Sequence, residues 1–593
     1  MCDLMVRGVC THLSTALVLL AGSRACGQDL TAAPRLGGDD LVVHFVAGGA
    51  DVQRAYLPGY PVSAERREPY VLLGASPEPT GPSHLFATSV AVEDPQTVID
   101  LSAPGMWTQS DAEPQHIVFE TVASLGGQPT LSIRKTFALK NRFDIHVEYR
   151  IENLTEQDIT FGLTQQGPGG MPREDVRTDY RSLYIARQRK GRIRVRRIRA
   201  GQAENPRYEH LLANDPEQPI VWWAVANRYF AAIIVPLDAG STERIELEAI
   251  DDSPAQPFRC RWQTGRIELA AGQSTTLRYW AYLGPQDREL FASNGQYAEL
   301  AFGDLIDAHG SMCTFSLLGR GMSWLLRSLV RVSPGHNYGL AILFMVVIFR
   351  ILLGPLSRYG FRKTASVQLA SRRLRPKVEE LKKQFGNSNE EKEALNKEVI
   401  KLYQAEGITP AAQFGGCLPL LVQIPIWAAL FTAINSTIEL RGAPFVLWIN
   451  DLSAPDALVR FGRAYSIPIL GVLSGPIGSL NVLPILMGLL SGMWQTLRKG
   501  SLDADKPKRR RSFGPLIGAG LFVLFLYNAP SGLTLYIAAS TTINGIQRWR
   551  ITQKLSEAMA AEDQAASQES ANGQAPAAPQ EPTQPPEQPP PPA

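Results

Sequence analysis

The sequence predicts a multi-domain membrane protein: an exported β-sandwich, then an α-helical membrane core of five spans with a cytoplasmic helical hairpin. Three observations predict it. Short alternating runs fill the chain up to about Cys313, long apolar runs broken by basic loops fill Tyr338 to Gln547, and a short apolar segment near the N-terminus implies export of the polar half behind it. At 593 residues the chain exceeds one ordinary domain. Its formal net charge of +3 says little, because the charge is unevenly placed.

Residues 1–27 hold Arg7, an apolar stretch from Leu13 to Gly22 and then Ser23-Arg24-Ala25-Cys26-Gly27. About ten apolar residues are too few for a ~30 Å hydrocarbon core, so this is a signal peptide or a short first membrane segment. Ser23 and Ala25 permit cleavage after Ala25. Arg24 stands where a lipoprotein site at Cys26 wants a small residue.

Residues 30–310 are expected to form the exported sandwich. Leu41–Val46, Leu131–Phe137, Phe143–Ile151 and Thr276–Tyr282 alternate as strands with one wet face, and turn residues separate them. The basic run Arg187–Arg199 reads as a strand with a charged outer face. An anionic-lipid or nucleic-acid patch is the alternative, and an exported location argues against nucleic acid. Gly167-Pro168-Gly169-Gly170 lacks the Lys-Ser/Thr ending of a phosphate loop, and no H-E-x-x-H or G-x-S-x-G is present. The cysteines Cys2, Cys10, Cys26, Cys260, Cys313 and Cys417 show no metal-binding spacing and read as small buried residues. No catalytic residue, metal or cofactor is expected.

The segment 315–333 places Leu317, Leu318, Met322, Leu325, Leu326, Leu329 and Val330 at helical spacing with Arg320, Arg327 and Arg331 among them and Trp324 alongside. It is expected to lie in the membrane interface, with packing against the sandwich as the alternative. The core follows over 336–547, with spans at about 336–356, 416–436, 482–497, 513–529 and 532–547. The first contains one charge, Arg350. A helix ending at Phe349 would hold twelve residues and reach about 18 Å, so the span has to carry Arg350 into the bilayer, where a charge needs water or a partner.

Residues 357–410 hold twelve Lys/Arg against seven Asp/Glu, with helical spacing on both sides of Gly386-Asn387-Ser388 and Pro376 inside the first arm. The positive-inside rule puts this hairpin, and the basic loop around Lys506–Arg511, in the cytoplasm. Polar residues are frequent in the spans: Gln423, Thr432, Asn435, Gln495, Asn528, Tyr536, Thr541, Thr542 and Asn544. Interhelical hydrogen bonding accounts for about half of them, and with Arg350 the rest suggest a wet cavity. Gly488/Gly492 and Gly514/Gly518 read as close helix packing. The Ala/Gln/Pro-rich segment 548–593 reads as a disordered cytoplasmic tail.

Several ordered motifs carry a resemblance: Val347-Ile348-Phe349-Arg350-Ile351-Leu352-Leu353-Gly354-Pro355-Leu356, Leu374-Arg375-Pro376-Lys377, Gly415 to Trp427, Pro444-Phe445-Val446-Leu447-Trp448-Ile449, Leu483 to Gly488 and Pro530 to Tyr536. They resemble the YidC/Oxa/Alb insertase family, and Tyr229-Phe230-Ala231 and Tyr282-Leu283-Gly284-Pro285 resemble its large periplasmic sandwich. Where some relatives carry two adjacent tyrosines, this chain has Tyr536-Ile537. The resemblance implies a non-enzymatic insertase with a groove bearing Arg350, Gln423, Tyr536 and Asn544. It also implies nascent membrane proteins, the Sec translocon, the ribosome and the lipid bilayer as partners, with no small-molecule substrate, in the bacterial inner membrane. A small-solute transporter and a membrane-anchored carbohydrate-active protein are the rival readings; the first wants internal repeats, which are not evident, and the second wants paired carboxylates in a cleft.

Overall fold

The computed structural model describes residues 33–74, 84–93, 96–174, 179–202, 205–250, 258–308, 316–384, 389–405, 418–466, 474–502 and 514–571. Segment 1–27 and every cysteine but Cys260 lie outside the described residues. Two compact units emerge. The first comprises the described residues up to Met345 with Pro425–Leu483 and Leu524–Leu535, and the second those of Val346–Ile424, Pro484–Val523 and Tyr536–Ala593.

The first unit is built on antiparallel sheets. Nine strands form the largest, in spatial order Arg192–Arg199, Ser182–Arg189, Ile220–Ala226, Phe230–Pro236, Ser274–Pro285, Asp144–Asn153, Gln128–Leu139, His116–Leu125 and Thr108–Glu113. Alternation fixes its faces: Ile145, Val147, Tyr149 and Ile151 are buried while Glu148, Arg150 and Glu152 point outward. A six-stranded sheet holding Ile159–Gln166, Thr88–Glu93 and Phe258–Gln263 packs on the inner face. Trp262 meets Trp223 and Tyr279 at ring distances of 4.9 and 5.7 Å, and the Tyr149 hydroxyl donates to Gln165 at 2.8 Å. A four-stranded sheet, Arg35–Gly37, Val42–Phe45, Val52–Pro61 and Pro69–Leu73, completes the core, with Phe45 4.8 Å from Phe137.

The strand Ile220–Ala226 is apolar throughout because both its faces are covered. Trp223 enters the sandwich, and Trp222 points the other way. α1 (Pro206–Leu212) starts on an Asn205 cap and lies against the strand Arg244–Ala249, while three further short helices cover that outer face: α2 (Arg288–Ser293), α3 (Gly295–Glu299) and α4 (Gly303–Ala308). Phe291 and Tyr297 from these helices, and Phe302 from the turn before α4, pack on Tyr282, Trp280 and Trp222. Cys260 is a buried free thiol, as its small size suggests.

The basic run Arg187–Arg199 differs from the single strand expected. It is a hairpin whose turn falls at Lys190 and Gly191, with φ of 50° and 72°, the left-handed pair a two-residue turn requires. Arg187 turns inward and donates to the carbonyls of Leu211, Ala213 and Gln218, while Arg192, Arg194 and Arg196 stay exposed.

The helical region begins with α5 (Ser316–Val332), whose Met322, Leu326 and Val330 are buried. Its arginines find acids in the first unit: Arg320 reaches Asp307 at 2.6 Å, Arg327 reaches Glu439 at 3.9 Å and Arg331 reaches Glu289 at 3.6 Å. These contacts favour the packing alternative for one side of α5, while Leu318, Trp324 and Val332 remain exposed. Next come α6 (Tyr338–Gln384), α7 (Asn389–Ala405), α8 (Leu418–Ser436), α9 (Val482–Leu502), α10 (Gly514–Leu526) and α11 (Ser531–Ala571).

Two boundaries differ from expectation. α6 has no break near 357, so the first apolar run and the first arm of the expected hairpin are one helix with Pro376 inside it. α11 runs on to Ala571, 24 residues into the segment 548–593 expected to be disordered, because its Ala, Glu and Gln residues are good helix formers even without an apolar face. Among the described residues one stretch, Tyr338–Gly360, is long and apolar enough to cross a membrane, and Val482–Trp494 is a shorter apolar helix.

Between α8 and α9 lies a loop with a two-stranded hairpin, Val459–Tyr465 and Ile477–Leu480, that no sequence signal had suggested. Asp456 in this loop caps α9: its carboxylate accepts from the backbone of Val482 and Leu483 at 2.9 and 2.8 Å and from the Trp448 indole at 2.9 Å.

Candidate functional site

Arg350 lies twelve residues into α6 and is half-buried, with Ile351 and Leu352 beside it exposed. Its guanidinium donates through one terminal nitrogen to Asn544 Oδ1 at 2.5 Å and through the other to Ser540 Oγ. Both partners are on α11. Among the described residues no carboxylate pairs with Arg350.

Gln423 on α8 donates from Nε2 to the Tyr536 hydroxyl at 3.2 Å, and both side chains are buried, at 8% and 1% exposed. Tyr536, Ser540 and Asn544 stand at i, i+4 and i+8, so they form one polar stripe along α11. All four residues expected at a groove thus meet within the second unit, in two bonded pairs along that stripe.

Ser540 was missed. Its signal was positional: a hydroxyl midway between two selected residues at helical spacing, hidden among Ser and Thr residues that commonly bond their own helix. Thr432 and Thr542 do that, donating to Ala428 O and Ala538 O at 2.9 Å. Asn528 is used in the loop, where it donates to Ser474 O and Pro476 O at 2.7 and 2.8 Å. These residues are accounted for without a cavity. Gln495 lies among residues whose side chains are outside the described set.

The partners of Arg350 matter chemically. An amide oxygen and a hydroxyl orient a guanidinium but carry no charge, so the site keeps a full positive charge. Two of the five N–H groups are occupied, which leaves donors for an incoming carboxylate. Among the described residues no cluster of His, Cys, Asp and Glu could hold a metal.

Of the expected glycine contacts, Gly488 packs closely: a Cβ there would collide with Val523 of α10. Gly492 and Gly518 face open space, and the surroundings of Gly514 lie outside the described set. An unforeseen tight point is Gly545, over which the Trp494 indole lies.

Comparison with known proteins agrees with this layout. A family model described as YidC periplasmic domain matches residues 35–307, and one described as 60Kd inner membrane protein matches residues 330–558. A membrane protein insertase YidC of Geobacter metallireducens is 24% identical over 526 residues, covering 88% of this chain and 85% of the relative. That of Bordetella petrii is 27% identical over 532 residues, covering 88% and 83%. That of Geotalea daltonii is 31% identical over 348 residues, covering 58% and 56%. Among solved structures, a galactose mutarotase-like protein from Lactobacillus casei aligns over 42% of this chain and 100% of its own at 12% identity, with a TM-score of 0.30, too low to establish a shared fold. The two family models follow one another along the chain as sandwich and then helices, in the order the structure shows, and the chain belongs to the YidC/Oxa/Alb family of membrane protein insertases, as an inner-membrane protein with its sandwich in the periplasm.

Proposed function

We propose that insertion proceeds through a polar groove formed by Arg350, Gln423, Tyr536, Asn544 and, added by the structure, Ser540. The guanidinium attracts acidic residues in the short exported tail of a client, because a cation in a low-dielectric recess acts strongly over several ångströms. The polar stripe of α11 shortens the apolar path that tail has to cross. Burial of the client's own apolar helix in lipid supplies the driving force, so no nucleotide is used and the chain acts as a non-enzymatic machine.

The supporting observation is that, among the described residues, Arg350 is coordinated by neutral groups alone. A structural arginine would be expected to carry a carboxylate partner, since an uncompensated charge in the bilayer is costly.

In this reading α6, α8, α9, α10 and α11 supply five spans. The arms of α6 and α7 beyond the bilayer form the cytoplasmic hairpin that receives clients, and the end of α11 lies in the cytoplasm. The exposed Leu318, Trp324 and Val332 of α5 sit in the membrane interface. Residues 1–27 direct export. The cytoplasmic hairpin and the loop around Lys506–Arg511 face ribosomal RNA or anionic lipid, and the Sec translocon is a partner for larger clients.

Reconstitution into liposomes with single-span clients tests the groove. Arg350→Ala is expected to lower insertion of a client with an acidic tail about tenfold, the scale of one lost charge-assisted bond, and to spare a client with an uncharged tail. Arg350→Lys should retain much of the activity. Equal loss for both clients would assign the arginine a structural role.

A further inference from the structure

The loop that follows α8 is built into the periplasmic sandwich. One residue beyond the end of α8, residues Ile438–Leu440 form a short 3-10 turn. Ile438 belongs to the same contiguous hydrophobic core as the sandwich strands, and Leu440 is fully buried. Arg441 closes the turn through its backbone N–H, which donates to Ile438 O, and Gly442 at φ 68° then redirects the chain.

The Arg441 side chain is held from every side. Nε donates to Glu174 Oε2 at 3.1 Å, and the two terminal nitrogens donate to the carbonyls of Pro61 and Val62 at 2.6 and 2.7 Å. Its guanidinium carbon lies 4.9 Å from the Tyr70 ring and 5.3 Å from the Phe230 ring, and those rings stack on each other at 4.0 Å. Arg441 and Glu174 are 9% and 10% exposed, so this is a largely desolvated pair and unlike the exposed ion pairs of the sandwich surface. Pro61, Tyr70, Glu174 and Phe230 come from four separate stretches of sandwich sequence. Glu439, two residues earlier, points to Arg327 of α5.

We propose that Arg441 is a positioning residue for insertion, which clamps the loop after α8 onto the sandwich so that the sandwich braces the periplasmic ends of α8 and α5. A planar guanidinium suits this role because it satisfies one carboxylate and two carbonyls in a single plane while stacking on aromatic rings. Lysine could keep the charge but could not hold all three acceptors and the rings together. Breaking one partner leaves the other buried and unpaired, whereas removing both relieves that cost.

The proposal is tested on the full-length protein in nanodiscs, by two readouts that fail independently. Hydrogen exchange asks whether the clamp exists and needs no assumption about activity. In Arg441→Ala the amides of Leu440, Arg441 and Leu452, which bond within the loop, are expected to exchange about tenfold faster or more, while those of the central sandwich strand Asp144–Asn153 keep their protection. Unchanged loop exchange overturns the clamp, and uniform loss of protection identifies a folding defect.

Single-span client insertion, which rests on the insertase activity, asks whether the clamp matters. Arg441→Ala and Glu174→Ala are each expected to lower the maximal rate by about tenfold, the scale on which a remote misplacement acts, without changing the client concentration at half-maximal rate. The double variant is expected to be no slower than either single variant. Arg441→Lys, the milder change, should fall between Arg441→Ala and the unaltered protein. Faster loop exchange with an unaltered insertion rate, or losses that multiply in the double variant, would overturn the positioning role.

Discussion

Lys135 shows how a single side chain can work against the layer that contains it. Period-2 alternation along Leu131, Ile133, Lys135 and Phe137 turns a lysine toward the core, where it is 1% exposed. Its ammonium donates to Ala50 O, Phe86 O and Thr88 Oγ1 at 3.0, 2.8 and 3.1 Å and lies 4.7 Å from the Trp107 ring. Burial nonetheless pulls its pKa down from 10.5 to about 7, with Asp51 opposing the fall. Between those values the unfolded chain binds more protons than the folded one, so this group makes stability rise with pH above about 7 and adds no slope well below it. Lys135→Met is expected to remove that slope: the stability difference between the unaltered protein and the variant should grow from pH 7 to pH 9 in denaturant titrations of the detergent-solubilised chain. A flat difference would refute the depressed pKa. The same alternation is visible in the sequence, but a lysine in a strand reads as its wet face unless the register of its neighbours is counted. Arg350, Gln423, Tyr536 and Asn544 each interrupt an apolar run, as several other polar residues do, and the family resemblance is what singled out these four. Their pairing was invisible, since 194 residues separate Arg350 from Asn544 and 113 separate Gln423 from Tyr536.

At the scale of elements, glycine contacts separate close helix packing from mere glycine spacing. Gly545→Ala would press a Cβ into the Trp494 ring, and Gly488→Ala would press one into Val523, so both are expected to lower the thermal midpoint in detergent by several degrees. Gly492→Ala meets nothing within 4 Å and should be neutral or slightly stabilising, because alanine favours the helix. If all three behave alike, the α9 contacts with α10 and α11 are not close. Spacing named the Gly488/Gly492 pair correctly as a candidate but could not say which member touches a neighbour. Strand existence was legible from alternation in Phe143–Ile151 and Leu131–Phe137. The break at Lys190-Gly191 was hidden by the arginines on either side of it, which drew attention to charge and away from turn chemistry. Helix ends were the least legible. The change from apolar to polar residues at 356–357 suggested a boundary that α6 passes through, and the Ala-rich composition after Arg550 suited a helix as well as a tail.

For the whole molecule, the charge distribution predicts topology. Protease added to inside-out vesicles is expected to cut between α7 and α8 and within the basic loop after α9, and protease added from the periplasmic side should reach neither. Cleavage of the α9–α10 loop from the periplasm would reverse the five-span assignment. The two-part organisation was legible early because hydropathy changes so sharply after Cys313. The joining of the Arg441 loop to the sandwich was not, since Arg441 and Glu174 are 267 positions apart and neither belongs to a periodic pattern. The two-sided burial of Ile220–Ala226 has a practical consequence. Trp222, Trp280 and Tyr282 rely on Phe291, Tyr297 and Phe302 for cover, so a fragment cut at Pro285 would lose its roof and present a row of bare aromatic rings to solvent. Anyone expressing the periplasmic portion separately should keep residues through Ala308, because shorter pieces invite self-association through that uncovered face.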